Sequence, residues 1–334
     1  MSVATTPLYE VRDLKVHFPV RRSGGRVVRA LDGVDLEWRR GEVLGIVGES
    51  GCGKSTLGRT LLGLQPATSG EILVDGTPLA QTDIRDVRRR IQMIFQDPYQ
   101  SLNPRQTVGS LVLEPLAIHG IAEGQQRIEL GVETLERAGL APAARYWDRY
   151  PHELSGGQRQ RVVIAAAMAL DPEALICDEP VSALDVSVRA QVLHVLMNLR
   201  RENDLGLIFI THDLGLAWAL CDRIAVMYLG RIVETGPAEQ VIGDPRHPYT
   251  QSLLSVVPSP YPREARRQIL AGELPDAANI PTGCRFHPRC PRAFDRCPQD
   301  DPRDLIPSGE GGHGTACWLL DTPAPVPASA GGAG

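Results

Sequence analysis

The feature that most constrains the fold is a glycine-rich loop between an apolar strand and a helix. Residues 48–56 read Gly-Glu-Ser-Gly-Cys-Gly-Lys-Ser-Thr, and they follow the apolar run Glu42 to Val47, which has the content of a strand. Glycines let backbone N–H groups wrap an anion, and a helix predicted from Lys54 to Leu64 would present its positive end there. The spacing is that of a Walker A phosphate loop. The candidate phosphate-binding residues are Gly48, Glu49, Ser50, Gly51, Cys52, Gly53, Lys54, Ser55 and Thr56.

Two side chains of this loop have predicted chemical roles. Lys54 should reach the β and γ phosphates, and Ser55 should ligate Mg²⁺. Lys15 and Lys54 are the only lysines among 35 basic residues. At position 54 a compact ammonium charge fits among phosphate oxygens better than a planar guanidinium does.

A second motif, which contains two acidic residues, completes the predicted hydrolytic site. The apolar run Ala174 to Cys177 ends in Asp178 and Glu179, as a Walker B strand does. Asp178 would hold Mg²⁺ through water, and Glu179 would act as the general base on the attacking water. No guanine-reading Asn-Lys-x-Asp sequence is present, so ATP is the expected nucleotide.

The remaining pattern predicts an α/β fold. Strands alternate with helices, which indicates a largely parallel sheet with helices on its faces. We expect an ATP-binding core over 1–97 and 171–245, an inserted helical lobe over 98–170, a small C-terminal unit over 246–320 and a disordered Pro/Ala/Gly-rich tail over 321–334. Predicted strands are Leu8 to Phe18, Val27 to Trp38, Gly70 to Asp75, Ile91 to Phe95, Leu207 to Ile210 and Arg223 to Met227, with helices at Val186 to Arg201 and Leu214 to Leu220.

Bulk composition excludes several classes of protein. The chain has 334 residues, 22% charged and 43% apolar, with a net charge of −5, which is typical of soluble globular proteins and argues against a nucleic-acid partner. No apolar run approaches the roughly 20 residues that cross a bilayer, and Met1 to Glu10 lacks the pattern of a secretion signal. We therefore expect a cytoplasmic protein whose membrane role, if any, depends on a partner chain.

The sequence Leu154-Ser-Gly-Gly-Gln158 decides the family. A serine cap followed by two glycines makes a helix N-terminus with open N–H groups, which is a second anion cradle. Its companions occur in order: Gln96 ends a strand, Ser182-Ala-Leu-Asp185 follows the acidic motif, and His212 follows another strand. Over residues 8–257 the chain resembles the ABC ATPases.

The resemblance implies a P-loop NTPase fold of the ABC ATPase type, with an antiparallel β subdomain beside the parallel sheet. It also implies a head-to-tail dimer in which each signature motif completes the partner's ATP site. Carried over by position, Gln96 senses Mg²⁺ and the attacking water, His212 contacts the γ phosphate and Phe18 stacks on adenine. The residues that contribute to the shared interface would be Ser155, Gly156, Gly157, Gln158 and Asp185.

Longer sequence matches indicate which branch of the ABC ATPases the chain resembles. Phe95-Gln-Asp-Pro98 with Ser101-Leu-Asn-Pro-Arg105, and later His247-Pro-Tyr-Thr, resemble the second ATPase type of oligopeptide and dipeptide importers. That branch implies a second ATPase subunit (a heterodimer favoured over a homodimer), two permeases docking near Pro98 to Ile118, and an external binding protein. The chain would be peripheral on the cytoplasmic face of the inner membrane. An exporter ATPase and an ABC ATPase without a transporter remain alternatives.

Four of the seven cysteines cluster near the end of the chain: Cys284, Cys290, Cys297 and Cys317. Clustered thiols in a reducing compartment suggest metal binding, but the tight Cys-x₂₋₄-Cys pairs of zinc sites are absent. The resemblance to peptide-importer ATPases implies a 4Fe-4S cluster, with zinc or unligated thiols as alternatives. His287 and His313 are interpreted as bystanders, and Cys52, Cys177 and Cys221 as packing residues.

Overall fold

Short apolar strands, buried on both faces, build the central sheet. The computed structural model describes residues 6–20, 25–255, 275–308 and 312–321. Successive side chains of each of these strands pack into two different hydrophobic cores, one on each face of the sheet. Val43 and Val47 pack on one face of the sheet, while Leu44 and Ile46 pack on the other. This alternation explains why the run is apolar throughout, since a strand buried on both faces has no polar side.

The central sheet has eight strands in the order β11-β12-β10-β9-β3-β8-β7-β6. Strands β6, β7, β8, β3 and β9 are parallel to one another, whereas β10, β12 and β11 continue the sheet from β9 in antiparallel pairing. Their bounds are β3 Val43–Val47, β6 Ile91–Ile94, β7 Ala174–Asp178, β8 Gly206–Thr211, β9 Arg223–Tyr228, β10 Arg231–Pro237, β11 Ile306–Pro307 and β12 Gly314–Thr315.

A four-stranded antiparallel sheet, in the order β2-β1-β4-β5, lies beside the central one. It consists of β1 Tyr9–Pro19, β2 Val27–Trp38, β4 Ser69–Val74 and β5 Thr77–Pro78. Its buried residues share one core with the phosphate-loop helix and one face of the central sheet. The antiparallel subdomain that the family resemblance implies is therefore present.

Ten helices are present in the described ranges, and three of the longer ones form the inserted lobe. Helices α4, α5 and α6 pack on each other. Their buried residues belong to the core that contains Val43 and Val47, on the face of the central sheet opposite the phosphate-loop helix. The bounds are α1 Lys54–Leu61, α2 Ile84–Arg90, α3 Pro98–Ser101, α4 Val108–His119, α5 Gly124–Arg137, α6 Gly156–Met168, α7 Val186–Asn203, α8 Leu214–Leu220, α9 Ala238–Gly243 and α10 Pro248–Ser255.

The C-terminal segment is joined to the central sheet. Strand β12 pairs with β10 through Glu234 opposite Thr315, and Phe286 packs edge-on against Tyr228. The domain boundaries remain predictions, and most of the tail over 321–334 lies outside the described residues. No helix in the described ranges is long and apolar enough to cross a membrane.

Candidate functional site

The phosphate loop connects β3 to α1 in a conformation that requires glycine. Gly48, Gly51 and Gly53 have φ values of 152°, 80° and 110°. A Cβ on Gly48 would lie 2.3 Å from the carbonyl oxygen of Met227, and one on Gly53 would lie 2.3 Å from that of Ala30. Because backbone atoms cannot yield as a flexible side chain can, both positions exclude other residues.

Lys54 is the first residue of α1, and its side chain turns back over the loop. Its Nζ donates to the carbonyl oxygens of Gly48 at 2.8 Å and Glu49 at 2.9 Å, and the residue is only 5% exposed. A buried ammonium group held among backbone carbonyls, at the start of a helix, is available to an arriving anion. Lys54 Nζ thus lies against the loop, and its contact with the phosphates stays a prediction.

Ser55 and Asp178 come together from α1 and β7. The Ser55 hydroxyl donates to Asp178 Oδ1 at 2.8 Å, and Asp178 is fully buried at the end of its strand. Its second oxygen, Oδ2, is buried without a hydrogen-bond partner in the part of the chain described. Burial raises the pKa of Asp178 above its usual value. A hydroxyl beside a carboxylate oxygen that lacks a partner fits a hard divalent cation such as Mg²⁺.

Glu179 meets two of the other predicted residues. Its carboxylate accepts from Gln96 Nε2 at 3.3 Å and lies 3.3 Å from His212 Nδ1. The backbone of Glu179 is left-handed, with φ of 46°, which is uncommon for a residue with a side chain and is found at functional sites. Two side chains, one after β6 and one after β8, thus converge on the carboxylate that follows β7.

The signature residues form a capped helix start. Ser155 Oγ accepts from the backbone N–H of Gln158 at 3.3 Å, and Gln158 Oε1 accepts from the N–H of Ser155 at 2.9 Å, which makes a reciprocal capping box. A Cβ on Gly157 would lie 2.3 Å from Val188, whereas Gly156 has its nearest neighbour at 3.3 Å. Among the described hydrogen bonds none joins this turn to the phosphate loop.

The remaining predicted residues lie at the surface or at helix ends. Phe18 is 36% exposed on β1, and Asp185 occupies the position before α7 without a side-chain cap. Cys52, Cys177 and Cys221 are buried within the cores, which agrees with their interpretation as packing residues.

Sequence reasoning missed the support that the C-terminal segment gives to the phosphate loop. Arg289 donates two hydrogen bonds to the Glu49 carboxylate, at 2.7 and 2.9 Å, and the backbone N–H of Glu49 donates to the Tyr249 hydroxyl at 2.9 Å. Tyr249 belongs to the His247-Pro-Tyr-Thr string and Arg289 to the cysteine segment. Neither string indicates this contact, because the partners are at least 200 residues apart.

The four C-terminal cysteines line one small cavity together with Phe286, His287, Arg292 and Trp318. Burial and the neighbouring thiols raise the pKa of Cys284 to about 12 and that of Cys317 to about 11. In the described ranges, however, no group of three or more His, Cys, Asp or Glu side chains could hold a metal ion as placed. As placed, these side chains therefore do not form a site for a single metal ion, and His313 is instead hydrogen-bonded to Glu234.

Comparison with known families gives two matches. Residues 31–182 match the family described as ABC transporter, and residues 233–297 match the oligopeptide/dipeptide transporter C-terminal region. The second match covers α10 and most of the cysteine segment.

Known relatives extend over nearly the whole chain. The dipeptide transport ATP-binding protein DppF of Escherichia coli is 47% identical over 322 residues, covering 94% of this chain and 95% of that protein. A probable peptide ABC transporter ATP-binding protein of Sinorhizobium fredii is 48% identical over 320 residues, covering 93% and 90%. Among solved structures, the dimeric ABC transporter cassette MJ0796 is similar with a TM-score of 0.62 and 29% identity, covering 69% of this chain and 98% of that one.

Proposed function

The chain belongs to the ABC transporter family of ATP-binding subunits and is an ATPase, and from that membership we propose that it powers the import of peptides or similar small solutes through a pair of membrane permeases. The observation that carries the proposal is the 47% identity to a dipeptide transport ATP-binding protein over 94% of the chain. It is supported by the convergence of Gln96, Glu179 and His212 beside the phosphate loop.

The residues of this chain divide the work of hydrolysis. Lys54 and the loop amides hold the β and γ phosphates, and Phe18 stacks on the adenine. Asp178 and Ser55 hold Mg²⁺, which when bound neutralises charge that develops on the phosphate oxygens. Glu179 accepts a proton from the attacking water, while Gln96 and His212 orient that water and the γ phosphate.

A dimer completes the site. Two ATPase subunits pack head to tail, and the N-terminus of α6, with Ser155, Gly156, Gly157 and Gln158, binds the γ phosphate held by the other subunit. Asp185 lies at the same interface. ATP favours the closed dimer because it contacts both subunits only in that state, and hydrolysis removes the γ phosphate that bridges them. The partner ATPase is a different chain, with a homodimer as the alternative.

The remaining partners lie at and beyond the membrane. Two permeases dock on the lobe near α3 and α4, where Tyr99 and Ile118 are exposed, and an external binding protein delivers the substrate to them. The subunit is thereby peripheral on the cytoplasmic face of the inner membrane. Relatives described as peptide import ATP-binding proteins favour import over export.

Uptake by cells tests the function directly. In cells that lack this chain, ATP-dependent uptake of a radiolabelled dipeptide should be lost, restored by the wild type and not restored by Glu179→Gln. Uptake of a free amino acid serves as the control. Unchanged dipeptide uptake in the deletion strain would contradict import, and ATP-dependent loss of dipeptide from loaded cells would favour the exporter alternative.

We also propose that the four C-terminal thiols hold a 4Fe-4S cluster that fixes the shape of their segment. The support is that all four line one cavity. Each thiol of a cluster binds a different iron, so the sulfurs can be farther apart than around one zinc ion, where bonds of about 2.3 Å hold them within about 4 Å. Protein purified without oxygen should contain iron and acid-labile sulfide, and zinc alone or no metal would reject the cluster.

A further inference from the structure

Glu49 puts a negative charge into the loop that is proposed to bind a triphosphate. It follows Gly48 directly, and Lys54 Nζ donates to the backbone carbonyls of both residues. A carboxylate near a bound triphosphate repels it, because like charges at short range in a partly buried site are poorly screened. The loop therefore needs a reason to tolerate this charge.

Arg289 supplies the opposite charge from the C-terminal segment. Its guanidinium makes the two parallel hydrogen bonds to Glu49 described above, and its side chain is 5% exposed against 26% for that of Glu49. A bidentate pair of this kind fixes direction as well as charge. The Arg289 guanidinium also lies 5.9 Å from the centre of the Tyr228 ring, which restricts its movement further.

The backbone of Glu49 is held separately. Its N–H donates to the hydroxyl of Tyr249, a fully buried residue that packs against Tyr228 and Phe286. The loop therefore has a hydrogen bond that Arg289 does not make. Because Tyr228 contacts both Tyr249 and Arg289, the change Glu49→Gln is needed beside the Arg289 variant to isolate the effect of charge.

We propose that Arg289 is a positioning residue for ATP binding: it neutralises Glu49 and holds that carboxylate away from the triphosphate. The C-terminal segment thereby sets the nucleotide affinity of a loop 240 residues earlier. This inference rests on the proposed ATPase function, and it assigns to the segment a role at the nucleotide site that is independent of any metal bound by its cysteines.

The test measures binding of the magnesium complex of a non-hydrolysable ATP analogue to the full-length chain by calorimetry. Arg289→Ala should raise the Kd about tenfold or more, because the loop then carries an unpaired negative charge. Adding Glu49→Gln to that variant should restore the Kd to within about threefold of wild type. If Arg289→Ala does not fold, Arg289→Gln takes its place with the same expected loss.

Two further variants separate this role from general attachment of the segment. Arg289→Lys keeps a positive charge and should bind within about threefold of wild type. Arg285→Ala is the matched control, since Arg285 is equally buried in the same segment but bonds to Asp32 and to the carbonyl of Leu229. It should lower the melting temperature without changing the Kd.

Three results would overturn the inference. An unchanged Kd for Arg289→Ala, a loss that Glu49→Gln does not restore, or an equal loss for Arg285→Ala would remove the charge-neutralising role while leaving the ATPase function intact. Absence of nucleotide binding by the wild type, matched by Lys54→Ala, would overturn the proposed function and this inference with it.

Discussion

Two neighbouring carboxylates at the end of β7 have different surroundings. Asp178 is fully buried, and burial raises its pKa, so a cation beside Oδ2, which has no hydrogen-bond partner among the described residues, would favour the ionised form. Glu179 is more accessible, with a side chain 14% exposed, and contacts Gln96 and His212. The sequence predicts both acids, but the left-handed turn that directs them apart depends on the tertiary structure.

The assignment of Glu179 as general base predicts the effect of changing this one side chain. Glu179→Gln keeps the size and hydrogen bonding of the side chain but removes the basic oxygen. The Kd for ATP should stay within about threefold of wild type, whereas kcat should fall at least about a hundredfold and the closed dimer should accumulate. Steady-state hydrolysis and gel filtration with ATP measure these effects.

The matched control is Glu239→Gln, which changes an exposed acid at the start of α9. It should leave kcat and dimer content unchanged. Undiminished hydrolysis by Glu179→Gln would contradict the assigned base.

At the scale of secondary-structure elements, β10 shows why some strands are not predicted from the sequence. It runs Arg-Ile-Val-Glu-Thr-Gly-Pro from Arg231, and a glutamate in the middle of the run conceals a buried strand. Glu234 is fully buried because its carboxylate accepts from the backbone N–H groups of Arg246 at 2.7 Å and His247 at 3.0 Å, and lies 2.8 Å from His313 Nε2. The partners that make this burial tolerable come from later segments.

Removing that carboxylate should destabilise the fold. Glu234→Ala leaves two buried N–H groups and a histidine ring without their acceptor, so we expect the free energy of unfolding to fall by about 3 kcal/mol or more. Chemical denaturation measures it. Glu239→Ala, at an exposed position near by, should cost less than about 1 kcal/mol. Equal effects of the two changes would mean that the buried network contributes nothing.

Helix α10 begins beside a buried histidine, which gives its attachment a pH dependence. His247 Nδ1 accepts from the backbone N–H of Tyr249 at 3.1 Å, and full burial lowers the pKa of His247 to about 3. The unfolded chain gains a proton near pH 6.5 whereas the folded chain does not, so stability is lost as pH falls from about 6.5 toward 3.

The comparison that isolates this effect is His247→Asn, because asparagine keeps an acceptor for the Tyr249 N–H but does not titrate. The free energy of unfolding of wild type should fall by about 1.4 kcal/mol more per pH unit than that of the variant between about pH 6 and 4. Denaturation curves at several pH values measure the difference. Parallel pH profiles would show that His247 is protonated in the folded state.

For the whole molecule, the sequence predicts the centre better than the periphery. The strands of the parallel sheet and the helices around them fall within a few residues of their predicted ends, because each has a local apolar period. Strands β11 and β12 have two residues each, and the pairing of β12 with β10, which joins them to the sheet, is made across about 80 positions. The link between Arg289 and Glu49 spans 240 residues, and no local pattern encodes it.

The proposed head-to-tail dimer is also a claim about the whole molecule. The phosphate loop, Asp178 and Glu179 lie together, whereas the signature turn at Ser155 bonds only within its own helix start among the described contacts. In the proposed dimer, a second subunit brings its own helix end to the γ phosphate, so that both cradles bind one nucleotide. This shared binding of ATP is the central claim of the proposed mechanism.

ATP turnover by the assembled transporter tests that claim most directly, with Ser155→Glu in every copy of this chain and, where the partner ATPase is a different chain, glutamate in place of the serine of its own signature sequence. In the proposed dimer the added charge would face the γ phosphate held by the opposite subunit, so turnover should fall at least about a hundredfold, while the isolated chain still binds ATP as wild type does. Ser69→Glu, at an exposed position on β4, should change neither property. Turnover that persists in the Ser155→Glu transporter would contradict a shared site.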